Sequence, residues 1–254
     1  MNEKKLIYKP KALKKLKISS LYFFSLISDI ALISFQFVLG ALRTPASVDY
    51  SQKHINNFAK VHFDATGTTL YATGLENFDV NKTYVFISNH ESWMDIPAIL
   101  TAVPQKLRMV AKEGLVKIPV FGKAMLDGGF IIINRKNRAK AIKQLEIAKE
   151  KLQQGISIWI APEGTRSRTN EIGDFKKGGF YLALELGLPI IPVFIEGAAK
   201  VMPPDSVFIT TNQDITVHFL EAQYEKDLNI LIKKVRDKII NKRNSLRNEH
   251  DSSK

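Results

Sequence analysis

Tyr84-Val85-Phe86-Ile87-Ser88-Asn89-His90-Glu91-Ser92-Trp93-Met94-Asp95-Ile96-Pro97 decides how this chain is read. Tyr84 to Ile87 is an apolar, β-favouring run, and the polar residues Ser88 to Ser92 behind it cannot prolong a buried strand. Pro97 is tolerated only in the first turn of a helix, so the helix carrying Ile96, Ile99 and Leu100 starts close to Asp95. His90 then sits in a turn and Asp95 at a helix mouth. On one continuous helix, residues five apart would point about 140° away from each other. A strand, a turn and a helix instead fold the carboxylate back onto the imidazole.

Such a pair suits general-base chemistry. A carboxylate accepting the Nδ1 proton fixes the tautomer, leaves Nε2 to take a proton from a hydroxyl, and stabilises the imidazolium that forms. The nucleophile is then the substrate's own hydroxyl, because the chain has no cysteine and no Gly-x-Ser-x-Gly elbow to carry an acyl group. For an isolated pair the plainer alternative is a helix-capping Asp95 and an ordinary turn histidine.

The pair is not isolated. Asn89-His90-Glu91-Ser92-Trp93-Met94-Asp95 resembles the His-x4-Asp block of the glycerolipid acyltransferases, nearest to their 1-acylglycerol-3-phosphate acyltransferase branch. Gly129-Phe130-Ile131-Ile132-Ile133-Asn134-Arg135 resembles that family's second block, Pro162-Glu163-Gly164-Thr165-Arg166-Ser167 the third, and Leu188-Pro189-Ile190-Ile191-Pro192-Val193 the fourth, in the same order. Ile132 and Asn134 stand where the family often has Phe and Asp. The resemblance implies an O-acyltransferase of phospholipid biosynthesis in which Arg135 and the Glu163-Gly164 block bind the acceptor.

Apolar runs at 69–72, 84–88, 108–111, 130–134, 156–161, 190–195, 207–211 and 215–220 read as strands, and the segments 95–103, 115–126, 137–153 and 175–187 as helices between them. The alternation predicts an α/β fold with a mixed, largely parallel sheet flanked by helices, its last two strands close enough to form a hairpin around Asn212-Gln213. A final helix over 225–247 gathers Leu228, Leu231, Ile232, Val235 and Ile239 on one face. In such sheets ligands collect beyond the carboxyl ends of the strands. His90, Arg135 and Arg166 each follow a strand, so the two arginines, from neighbouring strand ends, make a fork-shaped clamp for a phosphomonoester. Gly164 allows close backbone approach, Thr165 and Ser167 offer hydroxyls, and Lys176 adds charge at the start of a helix. Glu163 is awkward beside a phosphate, and its expected task is to brace an arginine or the His90 loop.

The chain has 254 residues, 45% apolar and 24% charged, which suits one catalytic domain with appendages. Its net charge of +12 sits at the ends: residues 1–17 hold seven Lys against one Glu, and residues 233–254 hold eight Lys or Arg against three acids. The middle is nearly neutral, with 22 basic and 21 acidic groups. Basic ends suit an anionic membrane surface. They carry few aromatics for stacking on bases and no nucleic-acid-binding motif, so nucleic acid is not an expected partner. From Ser19 to Leu42 the chain is apolar with Asp29 its only charge, long enough for a membrane-associated segment, and 46–60 suits an amphipathic helix beside it.

The expected organisation is therefore a basic arm with membrane-associated helices over 1–60, an acyltransferase domain over 61–224, and a C-terminal helix and basic tail over 225–254. The resemblance implies a reaction that moves a fatty acyl group from acyl-CoA or acyl carrier protein to the free hydroxyl of 1-acylglycerol 3-phosphate, a lysophospholipid, forming phosphatidic acid, with His90 as base and Asp95 as its orienter. Arg135, Glu163, Gly164, Thr165, Arg166 and Lys176 line the acceptor side. No metal or organic cofactor is required, because a thioester is already activated. The domain is expected on the cytoplasmic face of the cell membrane. Acylation of glycerol 3-phosphate or of another lysophospholipid is the alternative within the family, and a catalytically silent lipid-binding protein is the alternative outside it.

Overall fold

A computed structural model describes residues 3–10, 17–18, 48–119, 121–133, 138–169, 171–206 and 208–252. The apolar run 19–42 and Arg135 lie outside the described residues. In chain order the strands are β1 (Lys5–Tyr8), β2 (Lys17–Ile18), β3 (Thr69–Thr73), β4 (Val85–Ser88), β5 (Leu107–Lys112), β6 (Ile131–Ile133), β7 (Ser157–Ile160), β8 (Ile190–Glu196), β9 (Ile209–Thr210) and β10 (Asp214–Phe219). The helices are α1 (Val48–Thr66), α2 (Asp95–Ala102), α3 (Phe121–Asp127), α4 (Arg138–Gln153), α5 (Gly178–Glu185), α6 (Ala198–Val201) and α7 (Leu228–Ser252).

Eight strands form one sheet in the order β1-β3-β10-β8-β4-β7-β5-β6. The ladders from β8 through β4, β7 and β5 to β6 are parallel, as is β3 with β10; β10 with β8 and β1 with β3 are antiparallel. The sheet is mixed and largely parallel, as the alternation of elements predicts.

The centre of the sheet is apolar in both directions because helices cover both faces. On β4, Phe86 joins one core with Ile191, Val193 and Trp159, closed by Phe63 of α1 and by Ala98 and Ile99 of α2. Val85 and Ile87 point the other way, into a second core with Ile158 and Ile190, closed by Leu152 of α4, Phe180 of α5, and Leu231, Val235 and Ile239 of α7. Full burial of such side chains contributes about 1.5–3 kcal/mol each. The strand that presents His90 thus runs between these two cores.

Four expectations need correction. The last two strands form no hairpin with each other: β9 pairs with β2 in a separate ribbon, while β10 inserts between β3 and β8. Asn212, in the left-handed region at φ 54 with its N–H on the Thr66 carbonyl, ties the connection to the end of α1. The helix expected over 115–126 is broken into a 3₁₀ turn, Glu113–Lys117, and α3, because Pro119 supplies no N–H and disfavours helical geometry at Ile118. Lys5–Tyr8, read as part of an interfacial arm, instead forms the edge strand β1 on β3. Finally, β6 leads toward Arg135 but does not neighbour β7, since β5 lies between them. At about 4.8 Å per strand, the ends of β6 and β7 are separated by about 10 Å.

Candidate active site

His90 leaves β4 in the turn before α2, and Asp95 is the first residue of that helix. The His90 Nδ1 lies 2.8 Å from Asp95 Oδ2. The same oxygen accepts the backbone N–H groups of Glu91 and Ser92, each at 2.8 Å. Asp95 is fully buried, whereas the His90 side chain keeps 20% exposure. A carboxylate oxygen that already accepts two backbone N–H groups pairs with the ring by accepting a third proton from Nδ1, which makes Nε2 the acceptor. Asp95 Oδ1 is buried and has no hydrogen-bond partner among the described residues.

The turn is fixed from four other directions. Asn89 bridges to β8, its Nδ2 donating to the Ile195 carbonyl at 3.0 Å and its Oδ1 accepting the Ile195 N–H at 2.8 Å. The Ser92 hydroxyl donates to the Met202 carbonyl at 2.7 Å and accepts the Met94 N–H. The Trp159 indole N–H donates to Ser88 Oγ at 2.9 Å, and its ring stands edge-on to the imidazole, centroids 6.4 Å apart.

The fourth tether comes from beyond β7. Glu163 Oε1 accepts the His90 N–H at 3.0 Å, and Oε2 accepts the Gly173 N–H at 2.9 Å. The Ser167 N–H donates to the His90 carbonyl at 2.7 Å. Both oxygens of Glu163 are thus engaged by backbone, one holding the His90 loop and the other Gly173. Gly164 allows this bend, with φ 77, a left-handed value that a side chain would strain.

Arg166 is half-buried, its guanidinium 5.4 Å from the centre of the Trp93 ring and 3.8 Å from Asp205. Since Trp93 lies three residues past His90, the two motifs meet there. Thr165 and Lys176 are exposed, and Lys176 donates its backbone N–H to the Pro162 carbonyl. His90, Asp95, Glu163 and Arg166 are therefore brought together; Thr165 and Lys176 stand at the rim.

Three carboxyl groups crowd this turn. Burial, then the Asp95 charge, push Glu91 up to about 7; a 3.4 Å contact from Asn89 Nδ2 opposes them weakly. Burial also raises Glu163, against the pull of its two backbone donors. Among the described residues no His, Asp or Glu cluster has the arrangement of a metal site. Sequence reading missed Asn89, Ser92, Ser167 and Gly173 as tethers. The first three lie inside the quoted blocks, where polar residues packed around a turn were the available signal, while nothing marked Gly173.

The family model for acyltransferases matches residues 70–196, half of the chain. The chain belongs to the acyltransferase family. It is 32% identical over 194 residues to a chloroplastic 1-acyl-sn-glycerol-3-phosphate acyltransferase of Brassica napus, covering 75% of this chain and 56% of that one. Against the human 1-acyl-sn-glycerol-3-phosphate acyltransferase beta the identity is also 32%, over 139 residues, 54% of this chain and 50% of that one. The chain thus spans about half the length of the curated relatives it matches. The crystal structure of the 1-acyl-sn-glycerophosphate (LPA) acyltransferase PlsC from Thermotoga maritima superposes with a TM-score of 0.71 at 26% identity, covering 88% of this chain and 94% of that one. The match to the acyltransferase family takes in β3 to β8, hence every tether of His90 except the one from Met202, and stops before α7.

Proposed function

We propose that this acyltransferase moves a fatty acyl group from a thioester to the free hydroxyl of 1-acylglycerol 3-phosphate, making phosphatidic acid. The observation that carries the reading is the 2.8 Å pairing of His90 Nδ1 with buried Asp95, which leaves Nε2 to act as the base on a side chain that keeps 20% exposure. Nε2 takes the acceptor's hydroxyl proton as its oxygen attacks the thioester carbonyl. The new C–O bond forms, the C–S bond breaks, and the imidazolium returns its proton to the departing thiolate. Asp95 stabilises the imidazolium in between. Arg166, beside Trp93, supplies a planar fork for the acceptor's phosphate, joined by Arg135 from the segment after β6. The names of the relatives in Brassica, human and Thermotoga support this choice of acceptor.

The acceptor is a membrane lipid, and the basic ends together with the apolar run 19–42 support work at an anionic membrane surface from the cytoplasmic side. No described helix is long and apolar enough to cross a membrane.

The test incubates the purified chain in detergent with lysophosphatidic acid, lysophosphatidylcholine or glycerol 3-phosphate, each with acyl-CoA and with acyl carrier protein thioester. Phosphatidic acid is the expected product, and the productive donor is thereby identified. Product only from another acceptor would transfer the reading to that acceptor. Binding of lysolipid with no product from any pair would make the chain a silent lipid binder and overturn the proposal.

A further inference from the structure

The C-terminal helix α7 lies outside the region matched to the family, and its arginines are not spent on solvent. Leu231, Val235 and Ile239 bury one stripe of it against the sheet. Arg236, Arg243 and Arg247, spaced seven and four apart, share a flank beside that stripe. Arg236 Nε donates to the Gly173 carbonyl and its NH2 to the Ile172 carbonyl, both at 2.9 Å. Arg243 and Arg247 hold opposite oxygens of Glu171, at 2.7 and 3.0 Å. All three therefore close on one short segment, 171–173.

That segment is also where the His90 turn is anchored. The Gly173 N–H meets Glu163 Oε2, and Glu163 Oε1 meets the His90 N–H. The Glu171 carbonyl accepts the Ser167 hydroxyl at 2.7 Å, and the Ser167 N–H meets the His90 carbonyl. Two hydrogen-bonded routes thus run from α7 to the two backbone polar groups of His90. A side chain at Gly173 would crowd this route, because its Cβ would lie 3.1 Å from Glu163 Oε2.

We propose that α7 is a positioning clamp for the base: Arg236, together with the Arg243 and Arg247 grip on Glu171, holds segment 171–173 so that Glu163 and Ser167 fix the His90 backbone. Arg236 meets the loop carbonyls of Ile172 and Gly173, so it acts on His90 through the loop. The proposal rests on the reading of His90 as the base.

The test uses the full chain in detergent with four variants: Arg236→Ala, Arg236→Lys, Glu171→Gln and, as a control on the same helix, Ile232→Ala. Ile232 is partly buried against the core, and its side chain has no polar atom with which to bond the loop. Arg236→Ala is expected to lower kcat for acyl transfer tenfold or more while KM for either substrate changes less than twofold. Arg236→Lys, able to reach one carbonyl, is expected to recover part of the loss. Glu171→Gln, at an exposed side chain, is expected to lower kcat severalfold with Tm changed little. Ile232→Ala is expected to lower Tm but to leave kcat unchanged well below that Tm. Independently of activity, ¹⁵N signals of the His90 ring in labelled protein are expected to move in Arg236→Ala and Glu171→Gln and to stay in place in Ile232→Ala. A wild-type chain inactive on every acceptor defeats the acyl-transfer reading, while these ring signals still decide the clamp. Unchanged kcat and ring signals in Arg236→Ala and Glu171→Gln, or equal changes in Ile232→Ala, would overturn it.

Discussion

Glu91 offers the sharpest thermodynamic test of the crowded turn. Its carboxyl is pushed up from 4.5 to about 7, first by burial, then by the Asp95 charge, with Glu163 adding to the repulsion and Arg243 opposing it. Between those two values the unfolded chain has lost the Glu91 proton and the folded chain keeps it, so the folded state binds more protons and stability falls as pH rises. The ionised group costs nothing below 4.5, and its whole cost is present above 7. At about 1.4 kcal/mol per pH unit the span corresponds to at most about 3–4 kcal/mol, and partial solvent access lowers this to about 2–3. Glu91→Gln removes the charge and keeps the shape. Urea unfolding of both proteins, at half-unit steps from pH 5 to pH 8.5, measures the difference directly. The variant is expected to match the wild type to within about 1 kcal/mol at pH 5, and to exceed it by about 2–3 kcal/mol at pH 8.5. A stability difference that stays flat across this range would show that Glu91 ionises freely in water, and the account of a repelled carboxyl would be wrong.

Replacing the base, His90→Ala, is expected to cost on the order of 10²–10⁴ in kcat with the fold retained, and Asp95→Asn much of the same, read by steady-state turnover; a tenth or more of wild-type turnover in His90→Ala would end the base assignment. Glu163→Gln leaves one of the His90 and Gly173 N–H groups facing an amide NH₂, so kcat should fall and unfolding free energy drop by about 1–3 kcal/mol; an effect confined to acceptor KM would mean that Glu163 binds substrate. Arg166→Ala is expected to raise KM for a phosphorylated acceptor by about 10- to 150-fold, the equivalent of about 1.5–3 kcal/mol. A rise in KM for the donor alone would give the arginine to the donor's carrier.

The parts legible in the sequence are those in which one local pattern had one physical solution. Val85 to Ser88 and Ser157 to Ile160 are buried on both faces, so an unbroken apolar run had to be an inner strand. The five-residue spacing of His90 and Asp95 permitted contact only across a turn. Lys5–Tyr8 gave no such signal, because an edge strand with exposed Lys5 and Leu6 has the composition of an arm. The hairpin was misread because nearness in sequence favours it, whereas the parallel ladder of β10 on β3 depends on a partner 145 residues away, and no local pattern records that. The grip of Arg236 on Ile172 and Gly173 spans 63 to 64 residues and was invisible for the same reason. Read alone, it was one more charge in a basic tail.

The tethers support the proposed role of so small a pair as a catalytic centre. A histidine in a surface turn would ordinarily sample many backbone and ring positions, and fixing one residue costs about 1–2 kcal/mol in backbone entropy alone. Here that cost is incurred during folding. The His90 N–H, carbonyl and Nδ1 are each held by a different group, Glu163, Ser167 and Asp95, while Asn89 ties the preceding residue to β8. These bonds leave Nε2 as the one ring nitrogen not engaged by them. Positioning of this kind lowers the barrier by removing reorganisation at the moment of reaction, not by adding contacts to substrate. Damage to the tethers should therefore appear in kcat before it appears in KM, and that ordering separates a framework defect from a binding defect at every residue named around the turn.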